Sequence, residues 1–298
     1  HKNLKDYLRA KLHLFRSLIK KKGNIITDPT IPEFTQIKKI AKKKGLILNT
    51  IEGKNEKLKI LEHSFYNESQ ILKLKYKNII ENIKINLIGK IQIKNILMAL
   101  IAAKKSGLNI REIWKVLPKL RPVEGRFEKI GVIKNKSKVI LDYAHTPDAL
   151  KTCLLNLKEQ FPDQKIVLLF GCGGDRDKNK RSKMGKIADS CSDIIYLTDD
   201  NPRSENPNKI RKDIKKGIKK TKVIEISDRA KAITEAIKNL ETGNLLLVAG
   251  KGHEKVQDIG KQKIFFSDKK IILDSIKIKN LSLSNNLKLN IIKEASNS

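Results

Sequence analysis

The chain has 298 residues, 39% of them hydrophobic, so it is long enough for two folded domains and is not composed like a disordered protein. It carries 64 Lys and Arg residues against 32 Asp and Glu, a surplus of 32 positive charges. Only 10 of the 64 are Arg, and the many Lys residues are spread among Ile and Asn, which indicates codon bias in an AT-rich genome rather than a surface built for nucleic acid.

Two further classes are excluded by the sequence. No apolar run approaches the roughly 18 residues that a membrane-spanning helix needs. Three cysteines, Cys153, Cys172 and Cys191, have no CxxC spacing, which argues against a disulfide framework or a zinc site. We therefore expect a protein of a reducing compartment, the cytoplasm, without membrane insertion. Because the chain starts with His1, we also expect it to be a fragment.

The pattern of apolar residues in the first half of the chain predicts a mixture of helices and strands. In chain order, these are a helix over 4–19, a strand over 24–26, a helix over 31–45, a strand over 45–50, half-buried strands over 57–65, 70–77 and 82–89, and helices over 93–107 and 110–120. Arg121 and Pro122 follow, and we place a domain boundary there, between residues 1–121 and 122–298.

The second half has a different pattern. Continuous apolar runs recur at 139–141, 165–170, 193–198 and 244–249 and alternate with helical stretches, whereas the Asn- and Ser-rich tail after Lys279 is expected to fray. This alternation predicts a parallel, doubly wound Rossmann-like sheet.

A polar loop follows each of the four apolar runs. The loops read DYAHTPDA, GCGGDRDKNKR, DDNPRSENP and GKGHEK. Because ligands of such sheets bind outside the carboxyl ends of the strands, we expect the four loops to meet at one crevice.

The loops contain charged groups of both signs. Arg176 and Arg203 can each hold a carboxylate through two hydrogen bonds, while Asp200, Asn201 and Glu254 can accept hydrogen bonds from an ammonium group. Pro202 stiffens its turn and Gly250 allows close approach of a ligand. The pattern predicts a pocket for a zwitterionic amino acid. No GxxxxGK[ST] phosphate loop occurs in the chain.

In this order and spacing the motifs DYAHTPDAL, GCGGDRDKNKR, TDDNPR and VAGKGHE resemble the C-terminal domain of the Mur ligases. The resemblance extends from His1 to about residue 275. It implies an α/β protein in which part of a mixed-sheet, ATPase-type central domain (1–121) precedes an amino-acid-binding, Rossmann-like C-terminal domain (122–298). It also implies that the domain for the UDP sugar and the ATP loop lie outside this chain, so we expect the chain alone to be inactive.

The resemblance implies roles for individual residues. Asp200 to Arg203 match the family's motif for meso-diaminopimelate, and Arg176, Gly250 and Glu254 match further contacts to it. The nucleotide-side positions that match are Asn95, Arg126, Asp142 and His145. Lys11 falls where the family has a carbamylated lysine that helps to hold magnesium. Gln92 departs from the family pattern, which has Asn at that position near the adenine.

The activity implied is ATP-dependent amide formation in peptidoglycan synthesis. ATP, Mg²⁺, a UDP-N-acetylmuramoyl dipeptide and meso-diaminopimelate would be the reactants, with an acyl phosphate as intermediate, and the protein would be a monomer. One alternative within the class is a lysine-adding or folylpolyglutamate-type relative, in which Arg203 would lack a distal carboxylate to bind. The alternative from another class, a basic nucleic-acid-binding protein, is disfavoured by an aromatic content of 5% and the absence of a clustered basic tract.

Overall fold

The computed structural model describes residues 4–51, 58–260 and 262–296. The chain divides into two compact units, His1–Arg121 and Pro122–Ser298. Among the described residues no helix is both long enough and apolar enough to cross a membrane.

The first unit begins with a parallel βαβ step, as the sequence predicts. Its elements are helix α1 (Leu4–His13) continued by a π-helical turn (Leu14–Leu18), strand β1 (Asn24–Thr27), helix α2 (Phe34–Lys44) and strand β2 (Ile47–Thr50). Helix α2 ends because Gly45 adopts a left-handed conformation (φ 63°) that other residues rarely reach. Buried Leu12, Ile25 and Ile37 form the core between these elements.

The rest of the first unit is an antiparallel sheet with helices packed on it. Strands β3 (Leu58–Tyr66), β4 (Ser69–Tyr76) and β5 (Ile79–Ile85) lie in that order, followed by helix α3 (Ile91–Lys105), helix α4 (Ile110–Val116) and a 3₁₀ turn (Leu117–Lys119). The alternating pattern therefore predicts these strands correctly, although β5 begins three residues earlier than the predicted 82 and ends before 89. Leu72, Leu74 and Ile85 are fully buried in the core of this sheet.

The second unit contains a six-stranded, doubly wound sheet. Its strands are β6 (Glu128–Lys129), β7 (Lys138–Asp142), β8 (Ile166–Phe170), β9 (Ile194–Leu197), β10 (Lys222–Glu225) and β11 (Leu245–Ala249). The order across the sheet is β10-β9-β8-β11-β7-β6, and only β6 runs antiparallel to its neighbour. The predicted parallel sheet is thus confirmed, with two edge strands that the apolar pattern did not reveal.

Helices and a hairpin complete the second unit. The helices are α5 (Pro147–Gln160), α6 (Lys180–Cys191), α7 (Pro207–Lys215), α8 (Arg229–Lys238) and α9 (Asp268–Ser296), and strands β12 (Val256–Ile259) and β13 (Gln262–Phe265) form an antiparallel hairpin. Side-chain caps define several helix starts, for example Asp228, whose carboxylate accepts a hydrogen bond from Lys231 N. After Lys279 the backbone continues α9 to Ser296.

Candidate functional site

Four loops meet at the carboxyl edge of the large sheet. They are residues 143–146 after β7, 171–179 after β8, 198–206 after β9 and 250–255 after β11. In the sheet these strands are neighbours in the order β9-β8-β11-β7, so the loops are adjacent although they lie far apart in sequence. The predicted convergence of the motifs therefore follows from the strand order.

The β8 and β9 loops are joined by backbone and side-chain hydrogen bonds. Gly174 N donates to Asn201 O at 2.9 Å, and Arg203 Nη1 donates to Gly174 O at 2.7 Å. Asp175 accepts from Ser204 N and Ser204 Oγ at 3.1 and 2.8 Å. Arg203 has positive φ (51°), and its side chain remains about a quarter exposed. The two loops thus form one rigid wall from which the Arg203 guanidinium still reaches solvent.

Gly174 is the tightest point of this wall. A Cβ atom there would lie 1.9 Å from Pro202 O, which is backbone and cannot rotate away. We expect Gly174→Ala to separate the loops, to lower the melting temperature and to destabilise the protein by about 1–3 kcal/mol, the range for overpacked sites.

The control for this variant is Gly107→Ala, because a Cβ atom at Gly107 meets nothing within 4 Å. Gly107 has positive φ (97°), which Gly174 does not, so a loss in the control comes from backbone conformation and a loss in Gly174→Ala from the clash. A Gly174→Ala variant that melts at the same temperature as the unmodified chain would contradict the steric account.

A buried network connects the β9 loop to the β11 loop. Lys251 is fully buried, and its Nζ donates to Asn201 Oδ1 (2.9 Å), Glu254 Oε2 (3.2 Å) and Val256 O (2.7 Å). Asn201 Nδ2 donates to Glu254 Oε2 at 3.0 Å. The predicted contact residues Asn201 and Glu254 are therefore held together by a lysine that the motif analysis passed over.

Asp200 stands out because it is buried without a hydrogen bond. The residue is 7% exposed, and its carboxylate accepts no hydrogen bond from any part of the chain that the structure describes. Burial raises the pKa of Asp200, and the positive charges of Arg229 and Lys251 offset this only in part. A Cβ atom at Gly250 would lie 2.7 Å from Asp200 Oδ2, so glycine leaves that oxygen accessible from the β11 loop.

Arg229 lies behind this carboxylate, in helix α8. Its Nε and Nη2 donate to Asp268 at 2.8 and 2.7 Å, and both side chains are fully buried. Nη2 also donates to Ala249 O at 3.1 Å, whereas Nη1 has no partner among the described residues. Asp268 therefore fixes a positive charge close to Asp200.

The other predicted clamp, Arg176, is placed differently. It is exposed at the tip of the β8 loop, and its contact to the Asp175 carbonyl is long, 3.4 Å from Nη1. Among the described residues the Arg176 guanidinium makes no shorter hydrogen bond than this one. Arg203 and Arg176 are the two guanidinium groups that this wall offers to an anionic ligand.

The β7 loop carries a cluster of rings. The Arg126 guanidinium lies 4.6 Å from the centre of the Tyr143 ring, which also packs against His145 (4.6 Å) and His253 (5.3 Å). Burial and the neighbouring Glu254 raise the pKa of Tyr143. The predicted nucleotide-side residues Arg126 and His145 are therefore brought together, with Tyr143 and His253 as members that the motifs did not indicate.

Asp142, also predicted on the nucleotide side, is buried with its carboxylate fully engaged. It accepts hydrogen bonds from Phe127 N and Ala144 N, each at 2.8 Å, and from Cys153 Sγ at 3.2 Å. These bonds hold the start of the β7 loop against the segment that carries Arg126. Asp142 therefore fixes the backbone next to Arg126 and next to Tyr143, two members of the ring cluster.

Two predicted residues belong to the first unit. Asn95 is exposed on α3 and donates to Gln92 Oε1 at 3.4 Å; it borders a cavity of about 360 Å³ lined otherwise by apolar side chains such as Leu100 and Leu117. Lys11 is exposed on α1, with Nζ 5.4 Å from the Tyr7 ring. The described residues include no group of three or more His, Cys, Asp or Glu that could bind a metal ion.

The fold and its loops define a doubly wound α/β ligand-binding domain that follows a second α/β unit. Residues 1–103 match the family described as the Mur ligase middle domain, and residues 125–252 match the one described as the Mur ligase glutamate ligase domain. The chain belongs to the Mur ligase family. The resemblance expected from the four motifs is thereby confirmed.

Several proteins that are similar to this chain share the same ligase name. The UDP-N-acetylmuramoyl-L-alanyl-D-glutamate--2,6-diaminopimelate ligase of Rickettsia prowazekii (strain Madrid E) is 37% identical over 273 residues, 91% of this chain and 56% of that protein. A solved structure of a ligase with the same name is 29% identical, with a TM-score of 0.62, and covers 94% of this chain and 57% of its own. The chain spans about half the length of these relatives.

A more distant structure shares the fold alone. The MurF ligase of Thermotoga maritima, solved in complex with ADP, is 16% identical and has a TM-score of 0.63 over 93% of this chain and 57% of its own. Its similarity supports the mixed α/β architecture described above.

Proposed function

We propose that this protein takes part in ATP-dependent joining of meso-diaminopimelate to UDP-N-acetylmuramoyl-L-alanyl-D-glutamate in peptidoglycan precursor synthesis. Relatives at 37% identity carry the name of this ligase. Residues 122–298 would bind the amino acid, and residues 1–121 would form part of the ATP-binding domain. Three free, buried cysteines fit a reducing, cytoplasmic setting.

The observation that carries the proposal is the charge arrangement around the β9 loop. Asp200 offers a largely buried carboxylate without a hydrogen-bond donor among the described residues, while Arg203 and Arg176 carry guanidinium groups on the wall formed by the β8 and β9 loops. An ammonium group would satisfy Asp200, and carboxylates would satisfy the two arginines. Diaminopimelate has two ammonium and two carboxylate groups, whereas lysine lacks the second carboxylate.

In the proposed reaction the γ-phosphate of ATP passes to the terminal carboxylate of the dipeptide, which gives an acyl phosphate and ADP. The deprotonated amine of diaminopimelate then attacks the carbonyl carbon, and phosphate leaves as the amide forms. The described residues would serve the second step by holding the amino acid in one orientation. Asn95, Arg126, Asp142 and His145 are proposed as nucleotide-side residues, and the hydrogen bonds that Asp142 accepts from Phe127 N and Ala144 N support the segments that carry Arg126 and His145. Carbamylation of Lys11 and a role in holding Mg²⁺ remain proposals from the resemblance.

Calorimetric titration of the 298-residue chain with meso-diaminopimelate and with L-lysine tests the proposal. We expect diaminopimelate to bind at least about tenfold more tightly, because a charge-assisted Arg–carboxylate bond contributes about 1.5–3 kcal/mol. Arg203→Met should remove this preference, whereas Arg111→Met, which deletes an exposed guanidinium in the other unit, should keep it.

Equal affinity for the two amino acids would favour the lysine-adding alternative. Tight, steeply salt-dependent binding of DNA at physiological ionic strength would instead revive the nucleic-acid alternative.

A further inference from the structure

Lys251 is an unusual residue because it is a lysine with no exposed surface. Lys side chains are almost never fully buried unless they are paired. All three donors of its ammonium group are used, on Asn201 Oδ1, Glu254 Oε2 and Val256 O. The Lys251 amino group is therefore fully hydrogen-bonded inside the wall of the candidate amino-acid site.

The first consequence concerns the orientation of the Asn201 carboxamide. Its oxygen accepts from both Lys251 Nζ and Asp258 N (3.0 Å), so the amide nitrogen must face the other way. One N–H of that nitrogen donates to Glu254 Oε2 at 3.0 Å. The second N–H has no acceptor among the described residues and is available to a ligand.

The second consequence concerns Glu254. Lys251 Nζ and Asn201 Nδ2 both donate to its Oε2. Burial alone would raise the pKa of Glu254, but the hydrogen bond from Asn201 and the charge of Lys251 hold it below its ordinary value. Glu254 therefore stays ionised in one fixed position.

Charged groups from several elements face Asp200, Glu254 and the neighbouring Tyr143. They are Lys251 of the β11 loop, Arg229 of α8, Asp268 of α9 and Arg126, whose guanidinium lies 4.6 Å from the Tyr143 ring. Because Asp200 accepts no hydrogen bond from the described residues, a ligand ammonium group placed there would pair with it.

We propose that Lys251 is a positioning residue for the amino-acid substrate. It orients the Asn201 amide as a donor towards a substrate carboxylate and holds Glu254 in place, so that the pocket is organised before the substrate arrives. Lys251 would act through Asn201 and Glu254 and would not touch the substrate. This inference rests on the proposed function of the site.

The test compares Lys251→Met with Lys255→Met in the 298-residue chain. Lys255 is an exposed lysine four residues away, so its replacement removes the same charge without touching the network. Binding of meso-diaminopimelate is measured by calorimetry between pH 5 and pH 9, and the melting temperature of each variant is recorded by circular dichroism.

We expect Lys251→Met to weaken binding at neutral pH by about tenfold or more, the effect of losing one charge-assisted hydrogen bond. Because the positive charge of Lys251 favours the ionised forms of Glu254 and Asp200, its removal raises the pKa of both. The pH at which binding fails on the acid side should therefore move upwards. Lys255→Met should change neither quantity.

Unchanged affinity in a folded Lys251→Met variant would overturn the proposal. Weaker binding with no change in the pH at which binding fails on the acid side would also overturn it, because that result indicates a merely structural role. If Lys251→Met does not fold, Lys251→Gln, which keeps a donor without the charge, is measured in its place with the same expectations. Absence of binding by the unmodified chain would refute the proposed function itself, whereas equal binding by the unmodified chain and the variant would refute the role of Lys251 alone.

Discussion

Asp200→Asn is expected to abolish most of the affinity for diaminopimelate while making the protein more stable. The carboxylate that would pair with the substrate ammonium is lost, and a desolvated charged hydrogen bond is worth about 1.5–3 kcal/mol, so affinity should fall by roughly 10- to 150-fold. The buried carboxylate has no hydrogen bond within the described chain, so its neutral counterpart relieves an unfavourable charge. We expect the free energy of unfolding to rise by about 0.5–2 kcal/mol at pH 7. Substitutions that remove a functional group which destabilises the fold commonly have an effect of this size.

The pH dependence of this effect has a definite sign. The pKa of Asp200 is raised in the folded protein, so the fold takes up a proton more readily than the unfolded chain does. Stability from this group therefore increases as the pH falls through the raised pKa, and substrate affinity decreases over the same window. In Asp200→Asn the part of both dependences that comes from Asp200 should disappear.

The control for this prediction is Asp163→Asn, which removes an exposed carboxylate of the same unit. Calorimetric titration and urea unfolding at several pH values measure both effects. If Asp200→Asn binds diaminopimelate as tightly as the unmodified chain, the buried carboxylate is not the ammonium site.

Asp268→Ala is expected to have the largest effect on stability. Asp268 and Arg229 form a bidentate ion pair whose side chains are both fully buried, with distances of 2.8 and 2.7 Å. Removing one partner leaves a buried, unpaired guanidinium, because burial cannot deprotonate an arginine. The expected loss is about 3–5 kcal/mol in the free energy of unfolding. For a unit of this size that is a fall in melting temperature of roughly 6–20 °C.

Two further variants separate the ion pair from other effects of the substitution. Asp274→Ala, on the exposed side of the same helix, should stay within about 0.5 kcal/mol of the unmodified chain. The double variant Arg229→Met/Asp268→Leu replaces both charges by apolar groups and should recover part of the loss. A double variant no more stable than Asp268→Ala would contradict the assignment of the loss to the unpaired charge.

The large sheet was predictable because its evidence is local. The strands β8 and β11 are continuous apolar runs, which in a short segment signal burial on both faces. The polar loop after each run lies at the carboxyl edge whatever the strand order, so the sequence predicts the edge, whereas the adjacency of the four loops depends on the order β9-β8-β11-β7. The short or half-exposed strands β6 and β10 and the β12–β13 hairpin lack such runs and were not predicted.

Arg203 and Asp200 could be identified as candidate site residues because the motif places both in one loop, and the resemblance to the Mur ligases assigned them a ligand. Lys251 could not, because its partner Asn201 is 50 residues away and nothing in GKGHE distinguishes a buried lysine from an exposed one. Arg229 and Asp268, 39 residues apart, were missed for the same reason.

Apolar periodicity and loop composition are properties of neighbouring residues, whereas burial, desolvation and charge pairing depend on which distant segments the folded sheet brings together. Composition and motifs thus specify the type of sheet, the edge at which ligands bind and the groups available there, and the packing of loops and helices specifies which of those groups remain free for a ligand.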